Sequence, residues 1–295
     1  MTDCFIERRL PISVVIATLG GDVLRNTVEQ LNRGTGLPTE ILICIPESDA
    51  AKAECISEIA NVLIIKTRCR SQVAQRAVGL LKARCPYVMQ LDDDVILPPD
   101  TLKGMLDVLI AKGPSNVVAP FFCVQPSGED ATCYRHGLLG FVASCYYTLI
   151  CGASFGKRRL GRIAASGIGF GIPMSSGTMR IVESEWLPGG VTICNKEDLI
   201  MGNYYPFPGK AFSEDLIHSV LWRQKNCRLW TVLDISALVD VTVESFACKS
   251  VIGRYRAHAY VAKMVRGSVW RTRLWLVSYC LLHARQIVMQ SFRFK

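Results

Sequence analysis

Residues 249 to 295 contain no aspartate or glutamate, although they hold ten of the 34 lysines and arginines in this 295-residue chain. The remainder carries 24 basic against 25 acidic residues, so the net charge of +9 belongs to the C-terminal region. A block of this kind has anionic lipid headgroups or nucleic acid phosphates as its natural partners. The thirteen cysteines include no C-x-x-C pair and no grouping with histidine at zinc spacing, which argues against a local zinc site or a dithiol redox pair. Met1 to Glu7 lack the pattern of a secretory signal. A reducing cytoplasmic compartment is therefore expected, with cysteines serving as small core residues. No G-x-G-x-x-G follows the first apolar run and no G-x-x-x-x-G-K-[ST] occurs, which disfavours dinucleotide and P-loop enzymes.

Half the residues are hydrophobic and the mean hydropathy is +0.25, so the chain can bury a large core and has apolar surface to spare for lipid. Pro11 to Thr18 form a short β-branched run that ends in Leu19-Gly20-Gly21-Asp22, followed by an amphipathic stretch over 23–33. The pattern repeats with Glu40–Ile45 and a helix expected at 50–60, then Asn61–Ile65 and a helix over 71–83, then Tyr87–Leu91. Strands alternating with helices at this spacing predict an α/β fold around a doubly wound, mostly parallel sheet. Pro98-Pro99-Asp100 starts a further helix that Gly113 stops, and Val117–Ala119 reads as a strand.

The fourth strand empties into Asp92-Asp93-Asp94. Three carboxylates at a strand's C-terminal end repel one another unless a cation neutralises them, and in such sheets ligands bind at that edge. Their oxygens suit Mn²⁺ or Mg²⁺, ions that keep positions open for phosphate. Asp92 and Asp94 project to one side, towards ribose and metal, and Asp93 away; the bland reading is three aspartates capping a turn.

The order Ile12–Thr18, Glu40–Cys44, Gln75-Arg76-Ala77, Tyr87–Val95 and Pro98–Leu102 resembles family 2 glycosyltransferases. Trp186-Leu-Pro-Gly-Gly190 and Phe212-Ser-Glu-Asp-Leu216 fall where that family has its acceptor loop and its E-D motif. The resemblance covers roughly residues 11–235. It implies a GT-A fold, a nucleotide-diphosphate sugar donor, a D-x-D metal site at Asp92 and Asp94, and inversion with Asp215 as general base. It further implies donor contacts from Thr18, Arg76, Asp92, Asp93 and either Glu47 or Asp49. Trp186, Gly189, Gly190 and Glu214 would face a lipid-linked or glycan acceptor. The bland reading of Ser213-Glu214-Asp215 is a capped helix start. Arg70 and Gln75 are lesser candidates for diphosphate, and His218 reads as a packed or exposed histidine rather than a catalyst.

Residues 1–244 are expected to form the catalytic domain, with the donor side over about 11–119 and the acceptor side over about 120–244. Residues 245–295 read as a basic amphipathic helical tail that either lies on an anionic membrane at the cytoplasmic face, anchored by Trp270 and Trp275, or packs on the domain and shows a solvated basic face. Residues 137–156 carry no charge and are either a membrane-dipping or interfacial element or a buried segment with a glycine-rich loop lining the acceptor side. Two rivals are a nucleotidylyltransferase, disfavoured because Leu19-Gly20-Gly21-Asp22 lacks an arginine, and a non-enzymatic nucleic-acid or membrane binder, which leaves the aspartates unexplained.

Overall fold

The computed structural model describes residues 9–125, 127–131, 134–174, 180–240 and 246–286. Strand β1 (Arg9–Ala17) sends Ile12, Val14 and Ile16 into one core and Val15 into another. Strand β2 (Leu37–Pro46) repeats this, with Ile41, Ile43 and Ile45 on the first side and Leu42 and Cys44 on the second. Apolar residues on both faces are what a strand covered on both sides requires. With β3 (Val62–Thr67) and β4 (Tyr87–Leu91) these strands lie parallel in the order β3-β2-β1-β4. The connections are α1 (Asp22–Leu31), a 3-10 segment at Glu47–Ile56, and α2 (Gln72–Lys82). The 3-10 segment replaces the helix expected at 50–60. Lys52 Nζ meets Asp49 Oδ1 at 2.7 Å, a pairing of residues three apart that the tighter turn eclipses.

Helix α2 lies unusually close to the sheet at Gly79, where an added Cβ would sit 2.5 Å from both Cys44 Sγ and Val15 Cγ1. No other residue type fits there without lifting the helix that carries Gln75 and Arg76.

Past β4 come β5 (Val95–Ile96), α3 (Thr101–Lys112), β6 (Asn116–Val124) and α4 (Gly137–Tyr146), which runs into a π turn at Tyr147–Cys151. Next are β7 (Ile181–Ser184), β8 (Val191–Asn195), α5 (Glu214–Gln224), β9 (Arg228–Val239), α6 (Cys248–Met264) and α7 (Val269–Leu282). Among the described residues nine strands form one sheet. Strand β8 enters antiparallel between β4 and β6, while β9 runs parallel to β6 and carries β5 and β7 antiparallel. Helices α1 and α3 cover one face, through Leu24, Val28, Met105 and Leu109. Leu80 of α2 and Trp222 of α5 belong to the other. The expected α/β class and the helix-covered sheet are borne out.

Helix α6 packs on α5, Val261 joining Leu216, Ile217 and Val220 in one core. Trp275 of α7 is only 9% exposed and packs with Cys151, Ala153 and Ala164. It is therefore a core residue and not the interface anchor expected of it, whereas Trp270 is exposed. The boundary drawn at 244 and the final residues 287–295 lie outside the described residues. No described helix is long and apolar enough to cross a membrane, and the described cysteines are free thiols, several of them buried.

Candidate functional site

The C-terminal ends of β1 and β4 meet the N-terminal ends of α2 and α5 at one edge of the sheet. Thr18 ends the β1 run; its hydroxyl donates to Asp93 Oδ2 and accepts from the backbone N–H of Gly20 at 2.8 Å. Asp93 is further held by Thr27 Oγ1, which donates to its carbonyl at 2.7 Å. Asp92 turns the other way: its Oδ1 accepts from Arg76 Nη2 and, at 3.0 Å, from Gln72 Nε2. Asp92 and Asp94 line one cleft of about 400 Å³, while Asp93 and Thr18 line an adjoining cleft of about 570 Å³. Gln72 and Ala211 border both. Volumes of this size accommodate substrates of small-molecule enzymes. Burial raises the pKa of each aspartate; for Asp94 the charge on Asp93 adds to it.

Helix α5 supplies the opposing wall. Ser213 at its start adopts a left-handed backbone (φ 49°), and its side chain makes no capping bond, so the capped-helix reading of this motif does not hold. A non-glycine residue in that region stores about 1 kcal/mol or more of strain, and such strain gathers at functional sites. Glu214 is buried and accepts from Arg76 Nη1 at 2.5 Å and from Tyr204 OH at 2.7 Å. Burial acts to raise its pKa, yet the Arg76 charge holds it below the ordinary value. Arg76 thus lies 2% exposed between two carboxylates, Asp92 and Glu214, that belong to the two walls. Burial works against its charge, and the carboxylates more than reverse this.

Asp215 lines the same cleft as Asp92 and Asp94. Burial and the neighbouring Glu214 charge push its pKa up to about 7. The backbone N–H of Leu216 donates to its Oδ1 at 2.9 Å. Behind it, His218 is stacked between the rings of Tyr204 and Trp222, with centroids 4.7 and 3.6 Å away, and burial lowers its pKa to about 3. It is a neutral packed residue, the structure deciding between the packed and exposed positions that the sequence left open.

The glycine loop is pinned to β4. Gly190 C=O accepts from the backbone N–H of Asp92 at 2.8 Å, and Gly189 C=O accepts from Gln90 Nε2 at 2.8 Å. A Cβ on Gly189 would come within 2.9 Å of Glu214 Oε1 and 3.1 Å of Asp215 Cβ. Trp186 is half-buried; its indole N–H donates to Phe170 C=O at 3.0 Å, and it lines a narrow slot with Phe122, Phe170 and Pro188 rather than the cleft of the aspartates. On the β2 side Glu47 is exposed, whereas Asp49 is buried and paired with Lys52 and, at 3.7 Å, Arg70. Gln75 is spent elsewhere: its amide donates to Thr18 C=O at 2.8 Å and Cys44 C=O at 2.9 Å. Sequence reasoning missed Gln72, Tyr204, Lys210 and Asp240; Lys210 and Asp240 border the two clefts. Only Lys210 had a local cue, a glycine turn just ahead of the Ser-Glu-Asp motif.

No cluster of three or more His, Cys, Asp or Glu side chains capable of holding a metal occurs among the described residues. Asp94, with the second oxygen of Asp92, offers only carboxylate oxygens beside an open cleft. That set suits Mg²⁺ or Mn²⁺, which take one or two carboxylates and fill the remaining positions with phosphate and water.

Residues 13–187 match the family model described as glycosyl transferase family 2, more than half of the chain. The chain belongs to glycosyl transferase family 2. Solved structures agree on the fold. GalNAc-T7 with UDP, GalNAc and Mn²⁺ is 15% identical with a TM-score of 0.54, over 79% of this chain and 43% of that one. S. aureus TarS 1–349 is 14% identical with a TM-score of 0.52, over 85% of this chain and 65% of that one. The same TarS fragment in complex with UDP-GlcNAc is 14% identical with a TM-score of 0.53, over 97% and 76%. The chain thus spans under half of GalNAc-T7 and just under two thirds of the first TarS structure. No curated protein sequence matches it. The family 2 assignment and these GT-A neighbours bear out the expected fold.

Proposed function

We propose that this family 2 protein transfers a sugar from a nucleotide-diphosphate sugar to a hydroxyl of a lipid-linked or glycan acceptor, with inversion at the anomeric carbon. The observation that carries the reading is Asp215, a carboxylate with a pKa of about 7 across one cleft from Asp92 and Asp94. A general base works best when its pKa lies near the working pH. Asp215 would take the acceptor's proton as the oxygen attacks the anomeric carbon and the nucleoside diphosphate leaves from the opposite face. A Mn²⁺ or Mg²⁺ ion held by Asp94 and Asp92 would offset the charge on the departing diphosphate.

Thr18 and Asp93 line the donor side, and Glu47 is the exposed acid at the end of β2 that could meet the base or ribose. Arg76 acts by holding Asp92 and Glu214 in place from behind the cleft. Gly189 and Gly190 let the acceptor approach Asp215, with Trp186 beside their loop. We assign donor binding to about 11–119, acceptor binding to about 120–244, and membrane contact at the cytoplasmic face to the basic region from 245 onward. A purely nucleic-acid-binding role would leave the braced carboxylates without a purpose.

The neighbours' ligands make UDP-sugars with Mn²⁺ the first donors to try. Wild-type protein should show a thermal shift with one of them that depends on Mn²⁺, and Asp94→Ala should lose it while keeping its unliganded melting temperature. A donor shift in Asp94→Ala equal to wild type, with and without Mn²⁺, would sink the reading.

A further inference from the structure

Two stretches free of acidic residues, 131–182 and 249–295, meet in the fold. Tyr146 OH and Ser278 Oγ share a hydrogen bond of 2.6 Å, Arg271 Nη1 donates to the carbonyl of Leu149, and Trp275 packs with Cys151 and Ala164. On α4, Leu138, Leu139, Phe141 and Val142 are 78, 66, 58 and 56% exposed. On α7, Trp270, Arg273, Val277 and Leu281 form an exposed stripe at helical spacing. A helix of a water-soluble surface hides its apolar stripe; here both helices turn one outward.

Beneath α4, Arg158, Arg159 and Arg162 line a pocket of about 450 Å³. Arg162 is paired with Glu185 at 2.8 Å. Arg159 is 3% exposed, and no acidic side chain among the described residues pairs with it. Its Nη1 donates to Ser144 Oγ at 2.7 Å and Gly156 C=O at 3.2 Å, and its guanidinium lies 5.2 to 5.7 Å from the ring centroids of Tyr134, Tyr147 and Phe170. Aromatic faces offset part of the cost of burying that charge, but an anion would offset more.

We propose that this face seats the protein on an anionic lipid bilayer, with a lipid phosphate held between Arg158 and Arg159 and with α4 and α7 lying among the headgroups. Charge decides between the possible occupants. A second copy would bring the same cations against themselves, because Glu185, the acid that lines the pocket, is already paired with Arg162. Nucleic acid would satisfy the arginines and leave exposed leucine and phenylalanine unused, whereas an anionic lipid answers both. The inference rests on the peripheral placement proposed above and not on the transfer chemistry. Phe170 borders both this pocket and the Trp186 slot, and Phe122 and Pro188 border both the slot and the cleft of Asp215. A lipid headgroup seated here would stand at the start of a path to the base.

Vesicle co-sedimentation tests this with phosphatidylcholine alone and with phosphatidylcholine plus phosphatidylglycerol. Wild-type protein should bind the anionic vesicles at least about tenfold more tightly, as expected from roughly 1 kcal/mol for each basic residue near the surface. The double variant Leu138→Glu/Phe141→Glu should stay in the supernatant while hydrolysing nucleotide sugar at the wild-type rate. Arg159→Gln and the exposed variant Arg158→Glu should each lose most of the preference for phosphatidylglycerol. Wild-type protein that ignores both vesicles would overturn the proposal, as would a preference unchanged in both arginine variants. A dimer in solution that Leu138→Glu/Phe141→Glu breaks would give the face to a second copy and overturn it too. Vesicle binding without any donor hydrolysis would instead sink the transferase reading and leave this one standing.

Discussion

The cleft at the sheet edge gathers Asp92, Asp94, Glu214 and Asp215, whereas the α4 and α7 surface is built from sequence that has no acid at all. Both regions are unfavourable in water alone. In the first, carboxylates are forced together with one buried arginine between two of them. In the second, leucine and phenylalanine face outward above an arginine with which no acid among the described residues pairs. On the readings proposed above, each arrangement would become favourable when its partner arrives: a cation with a diphosphate in one, an anionic lipid in the other. Negative charge is thus concentrated at the cleft proposed for chemistry and withheld from the face proposed to meet a membrane.

The sharpest way to break the acidic side of the comparison is Asp215→Asn. It should lower transfer by roughly 10²- to 10⁴-fold, the usual worth of a positioned base, while donor binding and melting temperature stay near wild type. Arg76→Met removes the shared cation and leaves the buried Glu214 and the half-buried Asp92 without it. It should destabilise the fold by about 3 to 5 kcal/mol in chemical denaturation, and adding Glu214→Gln should restore part of that loss.

Gly189→Ala brings a methyl group against Glu214 and Asp215. Overpacking of this kind typically takes about 1 to 3 kcal/mol, so steady-state kinetics should show a fall of roughly tenfold or more. Because the base must be ionised, kcat/KM should climb by about tenfold from one pH unit below the Asp215 pKa of about 7 to the plateau above it. Stability moves the opposite way. The raised pKa means that the folded state holds this proton more tightly than the unfolded chain, so the contribution is present at low pH and is lost as pH rises through about 7. A flat kcat/KM profile through that range would remove Asp215 from the role. The smallest effect belongs to the acid-free side: Leu138→Glu should shift folding stability by no more than about 0.5 kcal/mol, because the side chain touches little.

Much of the N-terminal half was legible because local signals agreed with the tertiary outcome. The β-branched runs of β1 and β2 are covered on both faces, and their boundaries fell within a few residues of those expected. Asp92 and Asp94 share a cleft that Asp93 turns away from, as strand alternation suggests. The half after β5 was less legible. Strand β8 is five residues long, and its antiparallel entry between β4 and β6 depends on the fold-back at Gly189-Gly190 rather than on periodicity. Arg159 sits within Lys157-Arg158-Arg159 and looks like a solvated turn; only packing reveals that one of the three is enclosed. The uncharged run 137–156 left open whether it was buried or membrane-dipping, because hydropathy does not say which way a face points. The structure does both, turning Leu138, Leu139, Phe141 and Val142 outward and burying Cys151 and Ala153.

Gln75 carries a consequence for anyone who would redesign the donor pocket. Its amide is a spacer of fixed length: both hydrogens are committed, one to the last carbonyls of β1 and one to β2, just where the two strands open towards the ligand edge. The gauge of that opening is therefore written in the number of methylenes between the α2 backbone and the amide. Asparagine would be one too short, and glutamate would present oxygen to oxygen. Trimming side chains around Thr18 or Asp93 would enlarge the room without moving its door frame. A broader range of donors would have to begin with the residue that sets the gap.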